Sequence, residues 1–219
     1  MSTSIWEKIR EEVKKTGSLP LELDLTYTVI FSSLMGNVPV NSGVKGTIAE
    51  IPLHFAFRHI LIPNTKGSFP VNTMMEGAIG DERFSARMPY TVVFSAIAGN
   101  IPVNTGIDWN YNGNVYHLNM PLTWVTAFAR GMEKVTVKKM KKIVAPKFIR
   151  GRMMEVDDSA PPPEPPSQEA GRPIPAGLFG CIGDIEVNCK FRYSYYINTS
   201  SGRNPINTKA IGALQYLPN

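Results

Sequence analysis

Leu21-Glu22-Leu23-Asp24-Leu25-Thr26-Tyr27-Thr28-Val29-Ile30-Phe31 carries an apolar side chain at every odd position and a polar one at most even positions. A period of two sends successive side chains to opposite faces, so the run predicts a long antiparallel-type strand, odd face in a core and even face toward water. Ile185, Val187, Cys189, Phe191, Tyr193, Tyr195 and Ile197 repeat the pattern, interleaved with Glu186, Asn188, Lys190, Arg192 and Ser194. Neither strand can be buried alone, so residues 184–198 are expected in the same sheet system as residues 21–31. Tyr90 to Ile97 and Ile48 to Ile62 have strand character, and the Asn112-Gly113 pair inside residues 108–117 fits a type I′ hairpin turn. The expected fold class is therefore mainly β with a few helices, an antiparallel sheet or sandwich.

Outward from that strand lies an internal repeat. Gly36-Asn37-Val38-Pro39-Val40-Asn41-Ser42, Gly67-Ser68-Phe69-Pro70-Val71-Asn72-Thr73, Gly99-Asn100-Ile101-Pro102-Val103-Asn104-Thr105 and Gly202-Arg203-Asn204-Pro205-Ile206-Asn207-Thr208 share the pattern G-x-x-P-[VI]-N-[ST]. In three of them a tyrosine (Tyr27, Tyr90, Tyr193) stands nine residues before the glycine, and Pro39, Pro70 and Pro102 are 31 and 32 apart. The repeated unit reads as an aromatic-led strand, a glycine turn and a proline-started second segment. Turn chemistry accounts for it: glycine supplies positive φ, proline fixes φ, and Asn-Ser/Thr bonds back to nearby amides. The functional alternative is that the four loops gather at one end of a sandwich as a polar interaction surface, or cap subunit contacts in an assembly.

Helix signals are fewer. Ser4 and Glu7 have capping-box spacing, Trp6, Ile9 and Val13 share a face, and Gly17 closes the segment, so residues 5–15 should form an amphipathic helix packed over one end of the sheet. A second helix is expected from about Met132 to Val144, with Val137, Met140 and Val144 on one face and Pro146 stopping it; a strand through Val135 and Val137 is its alternative.

The formal charge of +5 is concentrated. From Arg130 to Arg152 nine basic residues, Arg130, Lys134, Lys138, Lys139, Lys141, Lys142, Lys147, Arg150 and Arg152, face one acid, Glu133. Such a block attracts phosphate on nucleic acid or on an anionic leaflet, and a solvated helix face explains the same lysines without a ligand. An acidic, proline-rich stretch follows, with five prolines among residues 161–166. It predicts a polyproline II or unstructured exposed loop, a spacer or a ligand for SH3 or WW modules. The domain plan is then a helix at 1–17, one β-rich domain over 18–152 and 177–219, and the loop at 153–176.

With 219 residues and 43% apolar side chains the chain can bury a substantial core. No run of eighteen apolar residues occurs, and the charged start lacks a signal-peptide apolar region. A soluble intracellular protein is the default. Serine-nucleophile, P-loop and zinc-protease motifs are absent, so no enzyme and no cofactor is expected. His54 and His59, five apart on a strand, should lie on opposite faces and cannot share a metal; Cys181 and Cys189 read as small buried apolar residues.

The amphipathic start, the strand-turn run from Tyr27-Thr28-Val29 to Pro39-Val40-Asn41-Ser42, the lysine-rich segment and the acidic proline-rich stretch together resemble the matrix proteins of negative-strand RNA viruses, rhabdovirus-type in particular. The resemblance implies a structural protein of the virion and host cytoplasm. It would self-associate and bind nucleocapsid RNA or an anionic membrane surface, and proline motifs would recruit budding machinery. Ser159-Ala160-Pro161-Pro162 lacks the leading proline of a P-[ST]-A-P motif. A plant-virus movement or capsid protein is the alternative of the same kind. A cellular β-sandwich that binds a ligand against Trp109, Tyr111 and Tyr116 is the alternative of another class.

Overall fold

The computed structural model describes residues 4–32, 34–95, 98–126, 152–155, 171–198 and 202–218. After helix α1 (Ile5–Thr16), the chain forms five long hairpins in succession. The first joins β1 (Ser18–Ser32) to β2 (Gly36–Ile48), and the second joins β3 (Ile51–Asn64) to β4 (Gly67–Ile79). In the third, β5 (Glu82–Arg87) and β6 (Tyr90–Ser95) lead out, and β7 (Gly99–Asn104) and β8 (Gly106–Tyr111) return. In the fourth, β9 (Asn114–Asn119) and β10 (Leu122–Thr126) lead out; after β11 (Arg152–Glu155), β12 (Gly171–Pro175) and β13 (Gly177–Ile182) return. The fifth joins β14 (Ile185–Asn198) to β15 (Gly202–Tyr216).

The mainly β expectation holds, but the sheet is a closed ten-stranded antiparallel barrel and not a sandwich. Closure comes from β15, which pairs with β14 from Ile185↔Tyr216 onward and with β1 over Ser18↔Gln215 to Asp24↔Lys209. Alternation shows that one face of a strand is buried; it does not show whether that face meets a second sheet or the far wall of its own. Through this closure residues 184–198 and 21–31 share one sheet. The expected single strand over 48–62 is cut at its start by a tight turn, Ala49 and Glu50 both having positive φ.

Each hairpin extends past the closed ring. The ring residues pair all the way round, whereas beyond it each hairpin continues as a two-stranded ribbon, two of which form the separate pairs β6–β7 and β10–β12. We call these ribbons the crown. The division falls at one recurring irregularity. The register shifts between Thr26 and Tyr27, between Arg58 and His59, and between Arg192 and Tyr193, and the outgoing strands of units three and four break at Met88-Pro89 and Met120-Pro121. A β-bulge inserts one residue and reverses which face the alternation presents. This corrects the odd-face expectation: Leu19 and Leu21 are buried, whereas Tyr27, Val29 and Phe31 are 36%, 37% and 74% exposed. It also invalidates the simple parity used for His54 and His59, which lie on either side of the bulge and are both exposed.

The turn glycines behave as the repeat requires: Gly36, Gly67, Gly99 and Gly202 have φ of 70°, 110°, 73° and 70°, where a Cβ is strained. Asn112 and Gly113 both have positive φ and close the β8–β9 hairpin as a type I′ turn. The structure adds a fifth unit. Arg172-Pro173-Ile174-Pro175 occupies the place of Asn204-Pro205-Ile206-Asn207, with the 44 residues 127–170 separating β10 from β12 ahead of it. The loop boundary at 153–176 is therefore drawn in: Gly171–Pro175 is a strand whose first four residues are buried, and Arg152–Glu155 pairs with Ser194 to Ile197 of β14. The second expected helix, residues 132–144, lies outside the described residues.

The main core fills the ring, with Leu21, Leu53, Phe55, Met75, Trp109, Leu118, Val187 and Leu214 among its buried members. Trp109 touches Trp6, Phe55 and Phe84, stacking on the last at 5.2 Å between centroids. Helix α1 packs on the end of the barrel away from the crown. Ser4 caps it, its Oγ accepting from the Glu7 amide at 3.3 Å, and Trp6, Ile9 and Val13 are buried, roughly 2 kcal/mol apiece. Cys189 is buried and its thiol is pushed up to about 11 by burial; Cys181 is exposed, against the expectation of two buried thiols.

Candidate functional site

Five chain segments of one pattern meet where the crown rises from the ring. The returning strands β2, β4, β7, β12 and β15 each touch the next around the axis, so the outgoing strands lie outside them. Register puts each repeat asparagine opposite the residue after the bulge: Asn41 with Tyr27, Asn72 with His59, Asn104 with Tyr90 and Asn207 with Tyr193. The spacing of tyrosine and glycine in the sequence is the arithmetic of this hairpin.

The repeat asparagines do more than form turns. Asn41 Nδ2 donates to the Asn207 carbonyl at 2.7 Å, Asn104 Nδ2 to the Asn72 carbonyl at 2.7 Å, and Asn207 Nδ2 to the Pro175 carbonyl at 3.1 Å. Each bond runs from one unit to the unit before it around the ring, at the same position of the repeat. Asn104 Oδ1 also accepts from the Asn72 amide. The side chains thus stitch neighbouring ribbons where regular ladder pairing ends. Pro175 has no side-chain donor with which to continue the series toward Asn104.

Just above, two further layers come from the same pattern. One holds Val40, Val71, Val103, Ile174 and Ile206, all buried. The other holds Val38, Phe69, Ile101, Arg172 and Asn204, also buried. These layers and the ring core line a half-open cavity of about 260 Å³ bounded by residues of all five units, from Trp6, Phe55 and Trp109 up to Phe69, Arg172 and Asn204. The lining is overwhelmingly apolar. It exceeds the roughly 150 Å³ of an engineered apolar cavity that takes up benzene.

Arg172 breaks the pattern. It is 8% exposed and lines the cavity, and burial pulls its guanidinium down to about 10, still cationic at neutral pH. Nη1 donates to Asn204 Oδ1, while Nε has no hydrogen-bond partner among the described residues. Among the described residues no carboxylate pairs with it. Asn72 Oδ1 and Trp109 Nε1 are likewise buried without a partner, and both residues line the same cavity. Unpaired buried polar atoms are costly, and three of them belong to residues that line this one cavity.

At the opposite end, charge holds α1 in place. Arg10 donates through Nε and Nη2 to the two Asp184 oxygens at 2.6 and 2.8 Å, Tyr111 donates to Glu7 Oε1 at 2.7 Å, and the Ile5 amide donates to Glu82 Oε2 at 2.6 Å. The Arg10 bond holds the Asp184 carboxyl below its usual range, and the Tyr111 bond does the same for Glu7. Of the three aromatics expected to line a pocket, Trp109 does so. Tyr111 and Tyr116 are instead only partly buried against the main core.

The crown's outer surface is apolar. Phe31, Leu34, Ile60, Leu61, Val92 and Phe94 are exposed on the first three ribbons. The outgoing strands leave one backbone edge open, and on ribbon five that edge is taken by β11.

The sequence-derived phosphate candidates Lys134, Lys138, Lys139, Lys141, Lys142, Lys147 and Arg150 lie outside the described residues, as do prolines 161–166. Arg152 opens β11, opposite Ile197. Pro39, Pro70, Pro102 and Pro205 come together with Asn41, Asn72, Asn104 and Asn207 around the cavity. Sequence reasoning missed Arg172, whose signal was a Pro-Ile pair 32 residues before Pro205-Ile206. Among the described residues no His, Cys, Asp or Glu cluster forms a metal site, and no helix is long and apolar enough to cross a membrane. No family model matches the chain, and neither a curated protein nor a solved structure matches it.

Proposed function

We propose that the protein is a binding barrel that takes a small, largely apolar molecule into its interior. The observation that carries this is the half-open apolar cavity of about 260 Å³, walled by the repeat residues of all five units and including the buried Arg172 in its wall. A barrel filled only for stability would close such a space, because an empty volume forfeits dispersion contacts on every side. The test fills the space from within. Val71→Phe and Val103→Phe should each weaken uptake of 1-octanol, read by calorimetry, at least tenfold while the chain stays folded. Unchanged octanol binding in both folded variants, or no binding to the parent, defeats the reading.

A second reading keeps the self-association implied by the resemblance to viral matrix proteins. It is supported by the apolar outer face of three neighbouring ribbons and by β11 lying on an open strand edge. Phe31→Ser with Phe94→Ser should leave the unfolding midpoint within about 0.5 kcal/mol of the parent and shift the protein to a smaller species in light scattering. Contact of the basic segment with RNA or anionic membrane remains a proposal from sequence. Glutamine at Lys138, Lys139, Lys141 and Lys142 should abolish salt-sensitive binding to both.

A further inference from the structure

The ligand of the cavity carries an anionic oxygen head group, and we infer that Arg172 holds it. This rests on the binding-barrel reading and adds the chemical class. Four of the five units put Val38, Phe69, Ile101 and Asn204 at this level, and one puts a guanidinium there. A cation more than nine-tenths buried, in an apolar wall, with no carboxylate beside it among the described residues, is an expense that stability does not explain.

The way the guanidinium is held points in the same direction. Asn204, itself 1% exposed, accepts from Nη1 and holds one end of the group, while Nε has no partner among the described residues. A carboxylate seated in the cavity beside Arg172 would form a charge-assisted pair with the guanidinium in a low-dielectric site. Pro175 belongs to the same departure. Three residues after Arg172, it replaces the asparagine that units one, three and five use for stitching, so unit four has a charged head in the cavity and no side-chain bond toward unit three. The apolar layers below, Val40, Val71, Val103, Ile174 and Ile206, then offer the tail its contacts.

The experiment compares octanoate with 1-octanol, equal in chain length and different in head charge, by calorimetry on the full chain at pH 7. Octyl sulfate is a third arm that separates a carboxylate preference from one for any anionic oxygen head. The parent should bind octanoate at least tenfold more tightly than octanol. Arg172→Met should remove that preference by weakening octanoate and leaving octanol unchanged or tighter. Replacing a buried charge that has no carboxylate partner among the described residues with an apolar side chain of similar length should not lower the unfolding midpoint. Arg172→Gln, which keeps a donor for Asn204 without the charge, is the second variant and should behave like Arg172→Met. Octanol and octanoate binding equally, or a preference that survives both neutral variants, overturns the assignment of Arg172 and leaves the barrel reading standing. Failure of the parent to bind any of the three defeats the barrel reading itself.

Discussion

Below the bulge and above it, the same hairpins are dressed in opposite ways. In the ring, apolar side chains such as Leu21, Phe55 and Val187 point inward, and Glu22, Asp24, His54 and Lys190 face water. In the crown, Tyr27, Val29, Phe31, Tyr90, Val92 and Phe94 are exposed, while Ser95, Ser194 and Asn204 are buried. An apolar residue stands at every odd position from Leu21 to Phe31, so the alternation does not distinguish the two regions. One inserted residue per hairpin does, by reversing the face to which an unbroken alternation sends its apolar half.

Removing the inserted residue is the most direct way to break this contrast. Ser42 is the extra residue of hairpin one, since Thr26 pairs with Gly43 and Tyr27 with Asn41. Its deletion must turn either the ring half or the crown half of β2 inside out. The expected loss is comparable to the whole stability of a domain, roughly 5–15 kcal/mol, so near-UV circular dichroism should show no folded species. A folded deletion variant with parental stability would show that the bulge is incidental.

Next in size is Trp109→Ala, which empties the middle of the ring beside Trp6, Phe55 and Phe84 and should cost about 3–5 kcal/mol in denaturant unfolding. A loss below 1 kcal/mol would mean that the ring is not the stabilising half. At the boundary, Asn104→Ala removes the bond to the Asn72 carbonyl in a buried position and should cost about 1–3 kcal/mol. Equal tolerance of Asn104→Ala and of Ser68→Ala at an outlying crown position would deny the stitching role.

The smallest effect sharpens the comparison at the far end of the ring. Asp184 and Glu7 have carboxyls lowered by their partners in the folded protein, so their contribution is present above the unfolded carboxylate range near pH 4. It is lost as pH falls through the lower folded values. Both partners of the Arg10 contact retain solvent access, which limits the effect to about 1 kcal/mol or less. An acid titration followed by tryptophan fluorescence should show α1 loosening below pH 4. Asp184→Asn should remove part of that transition and leave neutral-pH stability slightly reduced. An acid profile identical in parent and variant would dismiss the clamp.

Much of this was legible in the residues. The alternation of Leu21–Phe31, the 31- and 32-residue spacing of the prolines, the Asn112-Gly113 turn and the capped helix all act through neighbours close in sequence. The bulge was not legible, because Thr26-Tyr27 and Arg58-His59 carry no residue that demands an irregularity; only the partner strand, with one residue more, imposes it. Closure was hidden for a like reason, since it joins β1 to β15 across nearly the whole chain. Unit four was concealed by its insertion, which stretches the interval from Pro102 to Pro173 to 71 residues, and by Pro175 in place of asparagine. With it went Arg172, which in sequence is one basic residue at the end of an acidic stretch.

The pairing of Ser18 with Gln215 has a bearing on how such a chain can be rearranged. The seam where the first strand meets the last is built like the seams between consecutive hairpins, so the ring has no privileged starting point. Joining the end of β15 to the start of α1 by a linker that spans the helix, and opening the chain at Ala49-Glu50, would give a circular permutant in which α1 and every hairpin survive whole. By the same symmetry, growth of such a barrel by tandem duplication of a single hairpin requires no intermediate with a new fold at its seams, only additional copies until the circle shuts.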